Sequence, residues 1–346
     1  MLSVPPWHAL SNIRNDPHAR AWVSLQADLL LAPNTVNAYA RGLDHYLGFC
    51  CRSGIAATSA DRAQIASYTR ALVQPQSSAA GTTGLVTGLS NASIRHRLTI
   101  VRLFYDYLIE EGVRTTNPVA RGRRGAVVGG RGVGERGLIP VQRRLPWIPD
   151  DTQWRALLSA ASSESVRNRL MLAFAYDCAL RREELCSLAT GDIDPARRLL
   201  RVRAETTKTK RERVVPYSVV SADLYFAYLA ERRRLGSSRG PLFLSESTRN
   251  RAAPMSKWTW SKVVRRLALC AGVPTLTTHS FRHLCLTDLA RTGWDIEEIA
   301  SFAGHRSIQS TLLYIHLSAQ DLADKFARSM AAVHEERLHQ LRGSAS

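Results

Sequence analysis

The stretch AGHRSIQSTLLYIH, Ala303 to His316, sets Tyr314 nine positions after His305 and two before His316. A phenol at such a place has two uses, packing in a core or attacking an electrophile. On a helix that Ser307 can cap, Ile308, Leu312 and Ile315 share one face at steps of four and three. Tyr314 points well off that face. This weakens the core alternative without removing it, because Leu313 and Leu317 also lie off the stripe.

Three more clusters carry candidate chemistry. In TTHSFRHLCLTDLART, His279 and Arg282 stand three apart on the first turn of a helix, where free N–H groups and the helix dipole already favour an anion. In FAYDCALRREELCSL, Arg181 follows an apolar helix and Glu184 lies three further on, the ordinary spacing of a surface ion pair. In TTKTKRERVVP, Lys208 and Lys210 sit at a tight turn. Each is either solvated there or delivered into a groove as a proton donor or phosphate contact.

The elements that must hold these residues are mostly helical. Leu200, Val202 and Ala204 alternate with Arg201, Arg203 and Glu205, and a polar turn leads to Val214 and Val215, so a β-hairpin carries the lysines at its tip. Gly293 ends one helix, and Asp295 with Glu298 forms a capping-box pattern for the next. From His18 to about Pro118 the pattern is that of a small helical bundle. One helix, capped by Asn34, repeats Val36, Tyr39, Leu43, Tyr46 and Leu47; another repeats Ile94, Leu98, Val101, Tyr105 and Leu108 and closes at Gly112. Arg95, His96, Arg97 and Arg102 lie off that last stripe, facing either phosphate or water. Val73 to Ser90 is rich in Gly, Ser and Thr and reads as a loop. From Ala120, glycine alternates with arginine, including Arg121, Arg123 and Arg124, as either a linker tracking a nucleic-acid backbone or a solvated hinge.

With 346 residues the chain has room for two domains, and a net charge of +18 makes nucleic acid the leading partner, an anionic membrane surface the second. The apolar run from Leu170 is cut at Asp177, far short of a membrane span, and the N-terminus lacks a secretory pattern, so the expected location is cytoplasmic. The six cysteines form no CxxC pair and read mostly as packed, reduced thiols.

Taken in order, CALRREEL, TKTKRERVVP, HSFR and AGHRSIQSTLLY resemble the motifs of the tyrosine recombinase (phage integrase) family. That family has an arginine in a T-G-L-R-x-x-E helix end, a lysine on a hairpin before R-x-V-P, an H-x-x-R pair, and L-G-H followed nine residues later by tyrosine. The likeness spans the second half closely and the helical first half more loosely. Cys178 and Ala179 replace the usual Thr-Gly, and Thr207 and Thr209 flank Lys208 where glycines are common, which predicts a stiffer tip.

The resemblance implies a mainly α fold with a small β-hairpin or sheet. Residues 1–17 would be an extension, 18–118 a SAM-like helical core-binding domain, 119–145 a Gly/Arg linker and 146–346 an α+β catalytic domain. A helix at about 320–341, with Leu322, Phe326, Met330 and Val333 on one face, would dock within the chain or be exchanged with a neighbour. Tyr314 would attack the scissile phosphate, Arg181 and Arg282 would neutralise it, and His279 and His305 would assist proton transfer. Lys208, by its distance from RVVP, would protonate the leaving 5′ oxygen, with Glu184 orienting Arg181. The product would be a 3′-phosphotyrosyl link, with Arg95, Arg97, Arg121, Arg123, Arg124 and Lys210 as DNA contacts.

No metal or cofactor is expected, because bond energy is conserved and no dense Asp/Glu cluster is present. Expected partners are duplex recombination sites, a homotetramer on two paired sites, and accessory DNA-bending proteins, without a membrane. Integration and excision of a transposon or genomic island leads, since residues before His18 are too few for the arm-binding domain of some phage integrases. Chromosome-dimer resolution and phage integration follow, then a type IB topoisomerase and a non-catalytic repressor.

Overall fold

The computed structural model describes residues 7–74, 88–119, 145–235 and 239–317. The chain divides into two compact units, Met1–Arg143 and Arg144–Ser346. The Arg121, Arg123 and Arg124 segment and the 320–341 stripe lie outside the described residues.

The first unit holds α1 (Ser11–Asn15), α2 (Pro17–Asp28), α3 (Pro33–Arg52), α4 (Arg62–Val73) and α5 (Asn91–Glu110). The periodic positions do what their spacing predicts: Val36, Leu43, Tyr46 and Leu47 of α3 meet Ile94, Leu98, Val101, Tyr105 and Leu108 of α5 in one core. Asn34 does not cap α3. The helix begins at Pro33 after Ala32, which makes no side-chain cap bond. Proline's fixed φ and missing N–H suit the first helical position, so the start is set two residues earlier than an Asn34 cap would place it.

The second unit holds α6 (Asp151–Ser162), α7 (Val166–Asp177), α8 (Arg182–Cys186), β1 (Ile193–Asp194), β2 (Leu199–Val202) and β3 (Arg213–Pro216). After these come α9 (Val219–Leu235), α10 (Lys257–Cys270), α11 (Ser280–Arg291), α12 (Ile296–Ala303) and α13 (Leu312–Leu317). The apolar run LMLAFAY forms α7, whose Leu170, Met171, Leu172, Phe174 and Ala175 are buried in the main core of the unit. It packs against α9 and α11 and so ties the middle of the unit to its end.

The hairpin pairs β2 with β3 antiparallel, Leu200 opposite Val215 and Val202 opposite Arg213. A third, two-residue strand, β1, adds to the β2 edge, an element too short to show as periodicity in the sequence. Ala204 does not extend β2, because the chain turns there into a 3-10 turn over Ala204–Thr206. Asp295 and Glu298 make both bonds of the expected capping box on α12, which ends at Gly304 in a left-handed conformation. Among the described residues the cysteines are unpaired as thiols; Cys51 and Cys270 are exposed rather than packed. No described helix is long and apolar enough to cross a membrane.

Candidate active site

Between α7 and α8 the chain turns through Ala179, whose φ of 45° lies in the left-handed region. The turn sends Leu180 into the core and leaves Arg181 at the N-cap of α8. Glu184, one turn on, is 1% exposed. Its Oε1 accepts from Arg181 Nη1 at 2.7 Å and its Oε2 from the Arg181 backbone N–H at 3.0 Å. Arg213, from β3, donates Nη2 to Oε2 at 2.7 Å and Nη1 to Oε1 at 3.3 Å. The spacing that suggested a surface pair is therefore a buried carboxylate shared by two guanidinium groups. Burial alone would push its carboxyl up, but the Arg213 fork, the Arg181 N–H and the Arg181 charge bring it down to about 2.

Arg282 enters from the first turn of α11 and is 3% exposed. Its Nη1 donates to the Ala179 carbonyl at 2.5 Å and its Nη2 to the Ala303 carbonyl at 2.6 Å. One side chain thus clamps the α7–α8 turn to the end of α12. Burial, then the nearby Arg181 charge, lowers its guanidinium to about 10, which leaves it charged at neutral pH. Gly304 follows Ala303 with φ 61°, and a Cβ there would meet the Arg213 side chain at 3.1 Å, so glycine serves both the turn and the close approach.

Tyr314 is 3% exposed and its ring packs with Ala179, Cys285, Leu286, Ile299 and Ala303. Tyr314 is therefore buried although it lies off the expected apolar face. The chain forms a 3-10 turn over Ile308–Ser310, capped by Ser307, and the α-helix starts only at Leu312, so Ile308 is not in phase and stands 47% exposed. The ring fills a small core while its hydroxyl faces the polar cluster. Burial raises its phenol and the Arg282 and Arg181 charges lower it, with burial prevailing, so the resting phenol keeps its proton.

The His305 ring is parallel to the Tyr314 ring and offset from it, centroids 6.0 Å apart and planes 8° apart, and its Nδ1 shares a 2.9 Å hydrogen bond with the buried Thr311 hydroxyl. Burial, then Arg282 and Arg181, pulls its imidazole down to about 3. His279, at the N-cap of α11, stands at the exposed mouth of the cluster. Its imidazole is lowered by partial burial and by Arg282, Arg182 and Arg181.

Three residues that the sequence reading passed over belong to this cluster. His283 shares a 3.0 Å hydrogen bond from Nδ1 to the Tyr314 hydroxyl, and helical period places it one turn from His279, a signal present in HSFRH. Arg213 shares the inward face of β3 with Val215, two residues on, which the strand period could have disclosed. Thr311 gave no sequence signal.

Not every expected residue joins the cluster. Lys208 and Lys210 are exposed and neither side chain is bonded to another described residue. Their loop is nonetheless held: the buried Thr207 hydroxyl accepts from the Arg211 N–H at 3.2 Å, and Lys210 sits at φ 51°. In the other unit Arg95 is exposed, whereas Arg97 is half-buried with its charge felt by His45 and Tyr68. Among the described residues no group of three His, Cys, Asp or Glu could hold a metal ion. What the cluster can do is bind a tetrahedral anion through two rigid guanidinium forks and present a phenol to it.

Comparison with known proteins gives the same order of parts. The phage integrase family matches residues 150–321, and the N-terminal SAM-like domain of phage integrases matches residues 22–112. The tyrosine recombinase XerC of Pseudomonas fluorescens is 28% identical over 86% of this chain and 91% of its own length. That of Corynebacterium efficiens is 27% identical over 70% and 73%. Among solved structures, the XerH recombinase in a post-cleavage complex with its palindromic difH substrate shares the fold with a TM-score of 0.66 at 15% identity, covering 93% of this chain and 87% of that one. The Tn1549 transposon integrase with transposon right-end DNA does so at 0.60 and 16%, covering 88% and 99%. This chain belongs to the tyrosine recombinase, or phage integrase, family, and is an enzyme of site-specific DNA strand cleavage and rejoining.

Proposed function

We propose that the phenol of Tyr314 attacks a scissile DNA phosphate to give a 3′-phosphotyrosyl link and a free 5′-hydroxyl, which a partner strand's hydroxyl then reverses. The observation that carries this is the buried Tyr314 hydroxyl beside His283 Nδ1, with Arg282 and Arg181 close enough to act on its ionisation. A planar guanidinium has five N–H donors. Arg282 grips a carbonyl with each Nη and also acts on the Tyr314 hydroxyl, so its charge and its remaining N–H capacity serve the phosphate. Arg181, held by Glu184, supplies the second fork, and neutral His279 and His305 hydrogen-bond or relay protons. Lys208 delivers the proton to the 5′ oxygen from the hairpin loop. The reaction needs no nucleotide cofactor because the phosphodiester energy is kept in the tyrosyl ester.

DNA duplex is the partner that a charge of +18 and the exposed Arg95 and Lys210 suit. We assign a tetramer on two paired sites, acting in the cytoplasm, and integration and excision of a mobile element as the event. Supercoiled plasmids bearing one or two copies of the DNA flanking the gene's own element test this. Recombinant circles that require two sites are expected. Relaxation from a single site would make the protein a type IB topoisomerase, and binding without strand breakage would make it a repressor.

A further inference from the structure

We propose that His283 is the base that takes the Tyr314 proton as the phenol attacks phosphorus, an assignment that rests on the reading of Tyr314 as the nucleophile. The Nδ1 atom lies 3.0 Å from the Tyr314 oxygen, within direct proton-transfer reach. The two rings are tilted 36° to one another with centroids 5.7 Å apart, so the contact is made through the Nδ1–hydroxyl pair and not by stacking. The alternatives are placed differently. The His305 ring runs parallel to that of Tyr314, planes 8° and centroids 6.0 Å apart, and its Nδ1 is engaged by the Thr311 hydroxyl rather than by the phenol. His279 lies a further ring away, 6.4 Å from His283, and arginine has no lone pair to offer.

The position of His283 is fixed from both sides of its backbone. Its N–H donates to the His279 carbonyl, and its own carbonyl accepts from the Thr287 hydroxyl at 2.8 Å. To accept from the phenol, Nδ1 must be unprotonated and Nε2 must carry the hydrogen. Burial, His279 and Arg282 hold the imidazole down at about 4, so it is neutral and available at pH 7. A base that weak does not ionise the resting tyrosine. The negative charge of an arriving phosphate raises its basicity, so proton transfer awaits the substrate. In the step, the Oη–H bond breaks and its proton passes to Nδ1. The Oη–P bond forms, and the P–O5′ bond breaks with a proton supplied to O5′. Rejoining runs in reverse, His283 returning its proton to the departing phenol.

The test uses the full chain, a nicked duplex that traps cleavage, and two substrates that differ only in the leaving atom, 5′ oxygen or 5′ bridging sulfur. A departing thiolate needs no proton. Asparagine at 283 keeps a hydrogen-bond acceptor near Nδ1 but is not a base, and glutamine is a second variant should His283→Asn not bind DNA. Expected is unchanged DNA affinity with cleavage slowed about 10²-fold or more, equally on the oxygen and sulfur substrates, whereas Lys208→Ala recovers on sulfur. Wild-type cleavage rate in His283→Asn, or recovery on the sulfur substrate, would overturn the assignment. An adduct formed by Tyr314→Phe would instead overturn the nucleophile on which it rests.

Discussion

Glu184 shows most plainly how one side chain sets the charge geometry of the cluster. It is the sole carboxylate bonded to Arg181 and Arg213 among the described residues, and both guanidiniums are turned by it. Removing one partner of a buried pair leaves the others uncompensated, at a cost of about 3–5 kcal/mol. Glu184→Gln keeps the shape and removes the charge. It should lower the unfolding free energy obtained from chemical denaturation by an amount near the low end of that range and slow DNA cleavage at least tenfold, because Arg181 loses its orientation. A variant as stable as wild type with full cleavage would show that the network has no such role. At this scale the sequence was informative about type and poor about environment. CALRREEL announced an arginine and a glutamate at ion-pair spacing, but burial is a tertiary property, and the second guanidinium comes from a strand 29 residues away. Tyr314 shows the same limit, since its neighbours along the chain cannot reveal that α11 and α12 enclose its ring.

The elements are where departures from the family motif have physical consequences. Alanine stands at 179, where the family's T-G-L-R places glycine, in a left-handed conformation that costs a non-glycine residue roughly 1 kcal/mol. Its buried methyl group offsets part of that by packing beside Tyr314. Ala179→Gly should therefore change stability by less than about 1 kcal/mol in either direction. Ala179→Val, β-branched at positive φ, should cost about 2 kcal/mol or more and reduce cleavage by displacing the carbonyl that Arg282 grips. Chemical denaturation of the two variants side by side, with cleavage assays, checks both. The hairpin was legible because strand alternation is a two-residue property. Its loop was not, since the 3-10 turn and the Thr207 anchor depend on contacts between residues four apart with no repeating pattern. The capping box of α12 was legible, as its whole mechanism lies within four consecutive residues.

For the whole molecule, the buried ionisable groups make stability depend on pH in a definite order. His283 and His305 have folded values near 4 and 3, below their ordinary 6.5. Below about pH 6.5 the unfolded chain takes up protons that these folded imidazoles refuse, each costing up to about 1.4 kcal/mol per pH unit. Glu184, depressed to about 2 from 4.5, gives stability that is full above about 4.5 and is lost as pH falls toward 2. Thermal unfolding should thus be nearly flat from pH 8 to 7, decline between 6.5 and 4.5, and steepen below. His283→Asn should shrink the first decline; an unchanged profile in that variant would contradict the burial assigned to the ring. The two-unit plan was visible in composition, because core periodicity stops where glycine and arginine alternate. The joining of Arg181, Arg282, His305 and Tyr314 at one place was not derivable from periodicity, and only their order in the family motif suggested it.

The central claim, that Tyr314 becomes covalently joined to DNA, is tested most directly by trapping. Nicked duplexes made from DNA flanking the gene's own element are incubated in EDTA with wild type and with Tyr314→Phe, and denaturing gels are read for a protein–DNA adduct. An adduct is expected with wild type alone, and its tryptic phosphopeptide should contain Tyr314. An adduct of equal yield in Tyr314→Phe, or none with wild type on DNA that it demonstrably binds, would contradict that claim.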